Sequence, residues 1–325
     1  MRQGERITKV RGAGFFTMAL LLAVLAVAAW TLPAAAGSPN ACTRTTMAAF
    51  NACLNEVADD YWIARGKCEN LDDAGDRRDC QRDAGDERGE ARAECREQRD
   101  ARNDACDALG GAPYDPQVDP DQFVDPADIG NTVAPNPYFP LVPGVTWIYE
   151  GGGEHITVTV TDDTRDILGV TCVVVRDTVT DEDGELIEDT KDWYAQDLDG
   201  NVWYFGEIAL NYEDGEVVDV EGSWVAGVDD ARPGITMPAM PAVGDVYRQE
   251  FDLGNAEDLA EVVDVTGSAT SPAATCIGDC LVTGEFTPIE PDVLEYKVYA
   301  PGVGLILELN PENGDRLELV EVLED

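Results

Sequence analysis

Residues 170–206, VTCVVVRDTVTDEDGELIEDTKDWYAQDLDGNVWYFG, decide the fold class of this chain. Two acidic glycine turns, Asp181–Glu185 and Asp197–Asn201, separate three runs that are rich in valine, threonine, tryptophan and tyrosine. Such side chains suit a pleated, half-buried surface, and an Asp-Gly step supplies the positive φ of a tight hairpin. The stretch therefore predicts three antiparallel strands, and it contains no recognisable catalytic motif.

The same pattern of short strands and polar turns extends over residues 144–325. Ile156, Val158 and Val160 alternate with threonines, which is typical of a sheet with one wet face. Leu168–Val175 is apolar at almost every position, so we expect it to lie in the interior. About eleven strands with short loops are too many for a flat open sheet. The predicted fold class is mainly β, an antiparallel meander that forms a barrel or a curved half-barrel.

Residues 1–36 have the features of a secretory signal. Four basic residues precede the apolar run Phe15–Trp30, and Ala34–Ala36 gives a small-residue cleavage pattern. The run is short for a membrane-spanning helix, and an uncleaved anchor is the alternative. We expect an exported protein, periplasmic or extracellular, with no stable membrane insertion after cleavage.

The charge of the chain restricts its partners. Removal of residues 1–36 leaves 18 Lys and Arg against 64 Asp and Glu, a formal charge of −46. Nucleic acid and anionic lipid head groups both require cationic contacts, so neither is an expected partner. Specific cation binding and a solvated acidic surface both fit this charge, and we favour the solvated surface because the chain has only four lysines against dozens of Asp and Glu.

Six cysteines in residues 41–109 are spaced 11, 15, 12, 15 and 11 residues apart, a palindrome centred near Ala74. The surrounding residues favour helix, and neighbouring cysteines on one helix would be roughly 16 Å or more apart, which is too far for a disulfide. The bridges must therefore cross between two antiparallel helices. This predicts a helical hairpin with the bridges Cys42–Cys106, Cys53–Cys95 and Cys68–Cys80.

Structural disulfides suit an exported hairpin that has few apolar residues to bury. A metal site is not expected, because CxxC pairs and histidines are absent from this segment. One apolar stripe remains on the first helix, and it predicts either a docking face or a surface for another protein. Its members are Met47, Phe50, Leu54, Val57, Tyr61 and Trp62.

Residues 110–143 are rich in proline and aspartate, which favours an extended linker between the hairpin and the β domain. Three cysteines remain beyond it. Cys172 is in the interior-type strand and Cys280 opens another, so we expect a Cys172–Cys280 bridge. A Cys276–Cys280 bridge that closes a short loop is the alternative, and either pairing leaves one free thiol.

Four phrases, NPYFPLVPGVTWIYEG (136–151), KDWYAQDLDGNVWYFGE (191–207), PAVGDVYRQEF (241–251) and YAPGVGLILEL (299–309), resemble a widespread group of exported bacterial proteins that are largely uncharacterised. The resemblance covers the C-terminal β domain. It implies an exported β-rich fold, similar to the curved half-barrels of periplasmic lipoprotein carriers. It implies no catalytic residue.

Catalytic, cofactor and metal sites are not predicted. His155 is the one histidine, and we expect it on a strand surface because a lone histidine gives no catalytic geometry. Asp197–Asn201 resembles the start of a calcium loop, but the glycine and glutamate that an EF-hand requires are replaced by Val202 and Ile208. We therefore expect a turn there.

The leading functional hypothesis is a non-enzymatic exported module that binds an apolar small molecule or a partner protein through the β domain. The alternatives are a carboxylate-dependent extracellular hydrolase and a structural envelope protein. Acidic residues are so abundant that their presence is not evidence for or against a hydrolase site.

Overall fold

The computed structural model describes residues 40–324, which form one compact unit. The predicted signal at residues 1–36 lies outside the described residues. Two α-helices and two short 3-10 helices precede a β domain. Their bounds are α1 Ala41–Glu69, α2 Ala74–Leu109, and the 3-10 helices Pro120–Gln122 and Pro126–Asp128. The strands are β1 Val145–Gly151, β2 Glu154–Ile167, β3 Val170–Asp181, β4 Leu186–Gln196, β5 Val202–Glu213, β6 Glu216–Asp219, β7 Trp224–Val225, β8 Arg232–Met237, β9 Val246–Arg248, β10 Glu250–Phe251, β11 Leu259–Thr270, β12 Thr275–Phe286, β13 Leu294–Ala300, β14 Gly304–Leu309 and β15 Arg316–Glu324.

Thirteen of these strands form a nearly closed antiparallel barrel, in the order β10-β8-β5-β4-β3-β2-β1-β15-β14-β13-β12-β11-β9. The first and last strands, β1 and β15, pair along their length. The two ends of the order, β9 and β10, are separated by Gln249 alone. One short segment thus pairs with β11 on one side and with β8 on the other. The predicted mainly β barrel is confirmed. Strand β8 lies in a proline-rich stretch whose sequence lacks the regular alternation of a strand.

Strand β3 is buried on both faces, as its apolar composition predicts. Val173 and Val175 belong to the core cluster inside the barrel. Val170, Cys172 and Val174 belong to a second cluster on the outer face. Since successive strand residues point to opposite faces, the continuous apolar run of β3 serves two cores at once.

The predicted hairpin is formed by α1 and α2, joined by a short turn at residues 70–73. Asn40 caps α1 through Thr43 N–H, and Asp73 caps α2 through the N–H groups of Gly75 and Asp76. The three predicted bridges are present, with Cα–Cα distances of 5.6, 5.9 and 5.6 Å. No helix among residues 40–324 is long and apolar enough to span a membrane.

The hairpin packs against the barrel through a buried ion pair. Both guanidinium nitrogens Nε and Nη2 of Arg102 donate to the Glu257 carboxylate at 2.7–3.0 Å, and the two residues are 6% and 1% exposed. Gln98 also donates to the carbonyl of Ile289 at 2.9 Å. Of the apolar stripe on α1, Val57 is buried, whereas Trp62 remains 65% exposed.

Residues 110–143 lie along the barrel surface and are anchored at several points. Phe123 makes edge contacts with the rings of Trp203 and Phe205, at centroid distances of 6.0 and 5.6 Å. Gln196 accepts a hydrogen bond from Asn136 N–H and donates one to the carbonyl of Ala134. The acidic, proline-rich segment 110–143 is therefore packed against the barrel, and we call it the strap below.

The expected Cys172–Cys280 bridge is wrong, and the alternative, Cys276–Cys280, is formed with a Cα–Cα distance of 5.4 Å. Cys172 is a free, buried thiol in the outer core cluster, whereas Cys280 lies in the inner one. The two side chains therefore lie on opposite faces of the barrel wall. Residues four apart pair within β12 because the strand bulges there, with Gly278 at φ +77°.

Candidate functional site

The barrel encloses two adjoining cavities, of about 230 and 390 Å³. They share five lining residues and so lie side by side, and we call the two together the lumen. The shared residues are Tyr149, Val158, Asp177, Lys297 and Leu305. Barrel strands place alternate side chains inside, so β1, β2, β3, β13 and β14 each contribute to this wall.

One wall of the lumen is apolar and aromatic. Phe139 and Leu141 of the strap lie beside Trp147 of β1 and Val160 of β2. Trp147 is held by a hydrogen bond from its indole Nε1 to the carbonyl of Val303, at 2.7 Å. Because the strap supplies part of this wall, its packing closes one side of the lumen.

A single lysine organises the opposite, acidic wall. Lys297 Nζ lies 3.0 Å from Glu285, 3.6 Å from Glu308 and 4.0 Å from Glu295. Burial alone would lower the pKa of this lysine, but the surrounding carboxylates raise it well above its usual range. Lys297 is therefore charged, and its three ion pairs still leave an excess of carboxylate.

Asp192, which lines the lumen, shares a tyrosine with a second carboxyl group that lies behind the wall. The Tyr204 hydroxyl oxygen lies 2.6 Å from Asp192 Oδ1 and 2.9 Å from Glu207 Oε2. A phenol has one proton, so it can donate to only one of the two groups, and the other must donate to it. One carboxyl group is therefore protonated, in agreement with the pKa values. Burial raises the pKa of Asp192 well above its ordinary range and that of Glu207 to about 7.

Asp177 faces both cavities without a matching cation. Its Oδ1 atom is buried and has no hydrogen-bond partner within residues 40–324. Burial, followed by the negative charges of Glu188 and Glu207, raises the pKa of Asp177 to about 7. This oxygen can accept a hydrogen bond from a molecule in the lumen.

Tyr194 connects the apolar and acidic walls. Its ring stacks on Tyr204 at a centroid distance of 4.6 Å and lies 5.0 Å from the ring of Phe139. The lumen can thus enclose an apolar or aromatic body and present a carboxyl group at its end. None of these residues carries a motif that sequence reasoning identified.

The residues weighed as sites from the sequence lie elsewhere. His155 is exposed on β2, with Nδ1 3.7 Å from Glu150, which confirms the strand-surface prediction. The Asp197 carboxylate accepts the N–H groups of Asp199 and Asn201 and the indole N–H of Trp203. The predicted turn is confirmed, and its main carboxylate is occupied by donors of the protein.

Among residues 40–324, one group of acidic and sulfur side chains has the spacing of a metal site: Cys276, Asp279 and Cys280. The two sulfur atoms form a disulfide, so they are not available as thiolate ligands. The lumen carboxylates do not form such a group.

Comparison with known proteins gives no family. Neither a family model nor a curated protein matches the chain. Two solved structures are similar to parts of it. A predicted lipoprotein from Parabacteroides distasonis has 14% identity and a TM-score of 0.32, over 58% of this chain and 100% of that one. A predicted exported protein with a YmcC-like fold from Bacteroides fragilis has 16% identity and a TM-score of 0.30, over 57% and 98%.

Proposed function

We propose that this chain is an exported, non-enzymatic binding module whose lumen takes a small organic molecule with an apolar body and a hydrogen-bond-donating or cationic end. The observation that carries the proposal is that a single cavity, of about 230 Å³, is lined both by Trp147 of the aromatic wall and by Asp177, whose Oδ1 atom has no partner within residues 40–324. Ligand sites of this kind combine a mainly apolar lining with a few placed polar groups.

Export is supported by the cysteines. Four disulfides form among residues 40–324, and disulfides persist in oxidising compartments. The N-terminal basic and apolar pattern of the sequence points in the same direction.

The excess of carboxyl groups in the lumen favours a neutral or cationic ligand. Lys297 is outnumbered by its carboxylate neighbours, and Asp177 and Asp192 lie beyond them. An anionic ligand would meet like charge in a desolvated space, which is costly. A neutral or cationic donor would satisfy Asp177 and offset its burial.

Binding of defined probes tests this function. N-phenyl-1-naphthylamine is a neutral amphipathic probe, and its sulfonated analogue, 1-anilinonaphthalene-8-sulfonate, is an anion of similar shape. Equilibrium dialysis should show that the neutral probe binds the mature protein at least about tenfold more tightly than the sulfonate.

Two variants locate the binding. Leu305→Trp enlarges a side chain that lines both cavities and should weaken the neutral probe by about tenfold or more. Leu198→Trp changes an exposed leucine in the turn after β4 and should bind as the wild type does. Failure of the neutral probe to bind, or equal binding by Leu305→Trp, would contradict the proposal.

A carboxylate-dependent hydrolase is the second candidate, and the raised pKa of Asp177 favours it. A carboxyl group with a pKa of about 7 in a cavity can serve as a general acid near neutral pH. Turnover of an extracellular polymer that Asp177→Asn abolishes, with probe binding retained, would support this function over binding alone.

A further inference from the structure

A third cavity, of about 230 Å³, lies where the open end of the hairpin meets the segment that closes the barrel. It has no lining residue in common with the lumen. The helix ends contribute Cys42 and Leu109, the strap contributes Pro113 and Tyr114, and β9 and β10 contribute Arg248 and Phe251. Its walls are apolar apart from the Arg248 guanidinium and the hydroxyl groups of Tyr114 and a threonine.

Arg248 is buried in this wall, and two of its three guanidinium nitrogens lack a hydrogen-bond acceptor. The residue is 7% exposed, and its Nε and Nη1 atoms have no hydrogen-bond partner within residues 40–324. Its guanidinium carbon lies 4.4 Å from the ring centroid of Phe251 and 5.5 Å from that of Tyr114. The faces of the two rings stabilise the positive charge of the guanidinium. Aromatic rings do not replace the acceptors that buried N–H groups require.

The charge around Arg248 is also unbalanced. The carboxylate whose negative charge acts on Arg248 is that of Glu257. Both Glu257 oxygens, however, already accept hydrogen bonds from Arg102. Two buried guanidinium groups thus share one carboxylate. Burial lowers the pKa of Arg248, yet an arginine keeps its proton in proteins. One positive charge therefore remains uncompensated in a chain whose formal net charge is −43.

We propose that this cavity is a second binding site, which takes a small carboxylate with a short apolar chain and pairs it with Arg248. One carboxylate balances one charge and supplies the acceptors that the guanidinium lacks. The apolar chain fits the wall formed by Leu109, Pro113 and Phe251. A phosphate is a poorer fit, because the cavity offers a single cation for two negative charges.

Isothermal titration of the mature protein with hexanoate, hexanamide and inorganic phosphate tests this site. Hexanoate should bind at least about tenfold more tightly than hexanamide, which has the same length and no charge, and than phosphate. Arg248→Gln removes the charge and should lose about tenfold or more of the hexanoate affinity. Arg232→Gln is the control, since Arg232 pairs with Asp115 at 3.0 Å outside the cavity.

A second variant keeps the charge and removes the space. Ala112→Trp fills the cavity from the strap and should weaken hexanoate to a similar extent, whether or not Arg248→Gln folds. No binding of hexanoate by the wild type, equal binding of hexanamide, binding of phosphate alone, or equal binding by the folded Ala112→Trp protein would each overturn the proposal.

Discussion

Glu207→Gln should make the protein more stable at neutral and alkaline pH, and the gain should disappear in acid. Glu207 and Asp192 both contact the Tyr204 hydroxyl, which has a single proton. Ionisation of Glu207 as the pH rises therefore places a negative charge in this partly buried cluster. A glutamine keeps the size of the side chain, and its amide can donate to the Tyr204 oxygen as the protonated carboxyl group does.

The magnitude follows from the pKa of Glu207, which burial raises from 4.5 to about 7. At about 1.4 kcal/mol for each pKa unit, the largest possible effect is roughly 3–4 kcal/mol. Glu207 is only half-buried, so solvent screening reduces the expected gain to about 1–2 kcal/mol.

The direction is set by the unfolded chain. Above pH 4.5 the glutamate ionises in the unfolded state, whereas in the folded state it keeps its proton until about pH 7. The unfolded state is thus favoured as the pH rises through this window, and the wild type loses stability. Glutamine does not titrate, so the difference between the two proteins should grow from pH 4.5 to pH 7 and then remain constant.

Urea unfolding under non-reducing conditions at a series of pH values measures this difference. Glu213→Gln is the matched control, because Glu213 is exposed at the end of the same strand. A difference for Glu207→Gln that is constant with pH, or a variant less stable than the wild type at pH 8, would refute the shared-proton interpretation.

Three further predictions concern the hairpin and the cysteines. Arg102→Met should lower the free energy of unfolding by about 3 kcal/mol, because Glu257 loses its partner, whereas Arg96→Met at an exposed position of the same helix should change it little. Cys172 should resist thiol reagents until the protein unfolds, since it is fully buried and its pKa is raised to about 12. Peptide mapping without reduction should recover the three hairpin bridges together with Cys276–Cys280, and a peptide that links Cys172 to any other cysteine would contradict the fold.

The hairpin was the most predictable part of the molecule, for a geometric reason. A helix fixes the position of each cysteine along its axis, so the mirror-symmetric spacing allowed one set of cross-links. The two-sided burial of Val170–Val175 was predictable for a similar reason, because a strand alternates its faces and this run is apolar on both.

The cysteines of the β domain could not be paired in this way. The sequence does not tell which face of the barrel wall each strand residue occupies, and Cys172 and Cys280 lie on opposite ones. The bulge in β12 that brings Cys276 to Cys280 depends on two extra residues opposite Gly267–Ser268, which is a property of strand pairing.

The lumen was beyond sequence reasoning as well. Asp177 of β3 and Lys297 of β13 are far apart in the chain, and they line the same cavities only because the barrel closes. Among dozens of acids they carry no local signal.

Native mass spectrometry of the mature protein isolated from its own exported fraction tests most directly whether the lumen binds a small molecule. The wild type should carry a small-molecule mass above that of the bare chain, and the same preparation of Leu305→Trp should not. Leu198→Trp should keep the additional mass. A wild type that has the bare-chain mass, or an adduct that Leu305→Trp retains, would contradict the assignment of the lumen as the binding site.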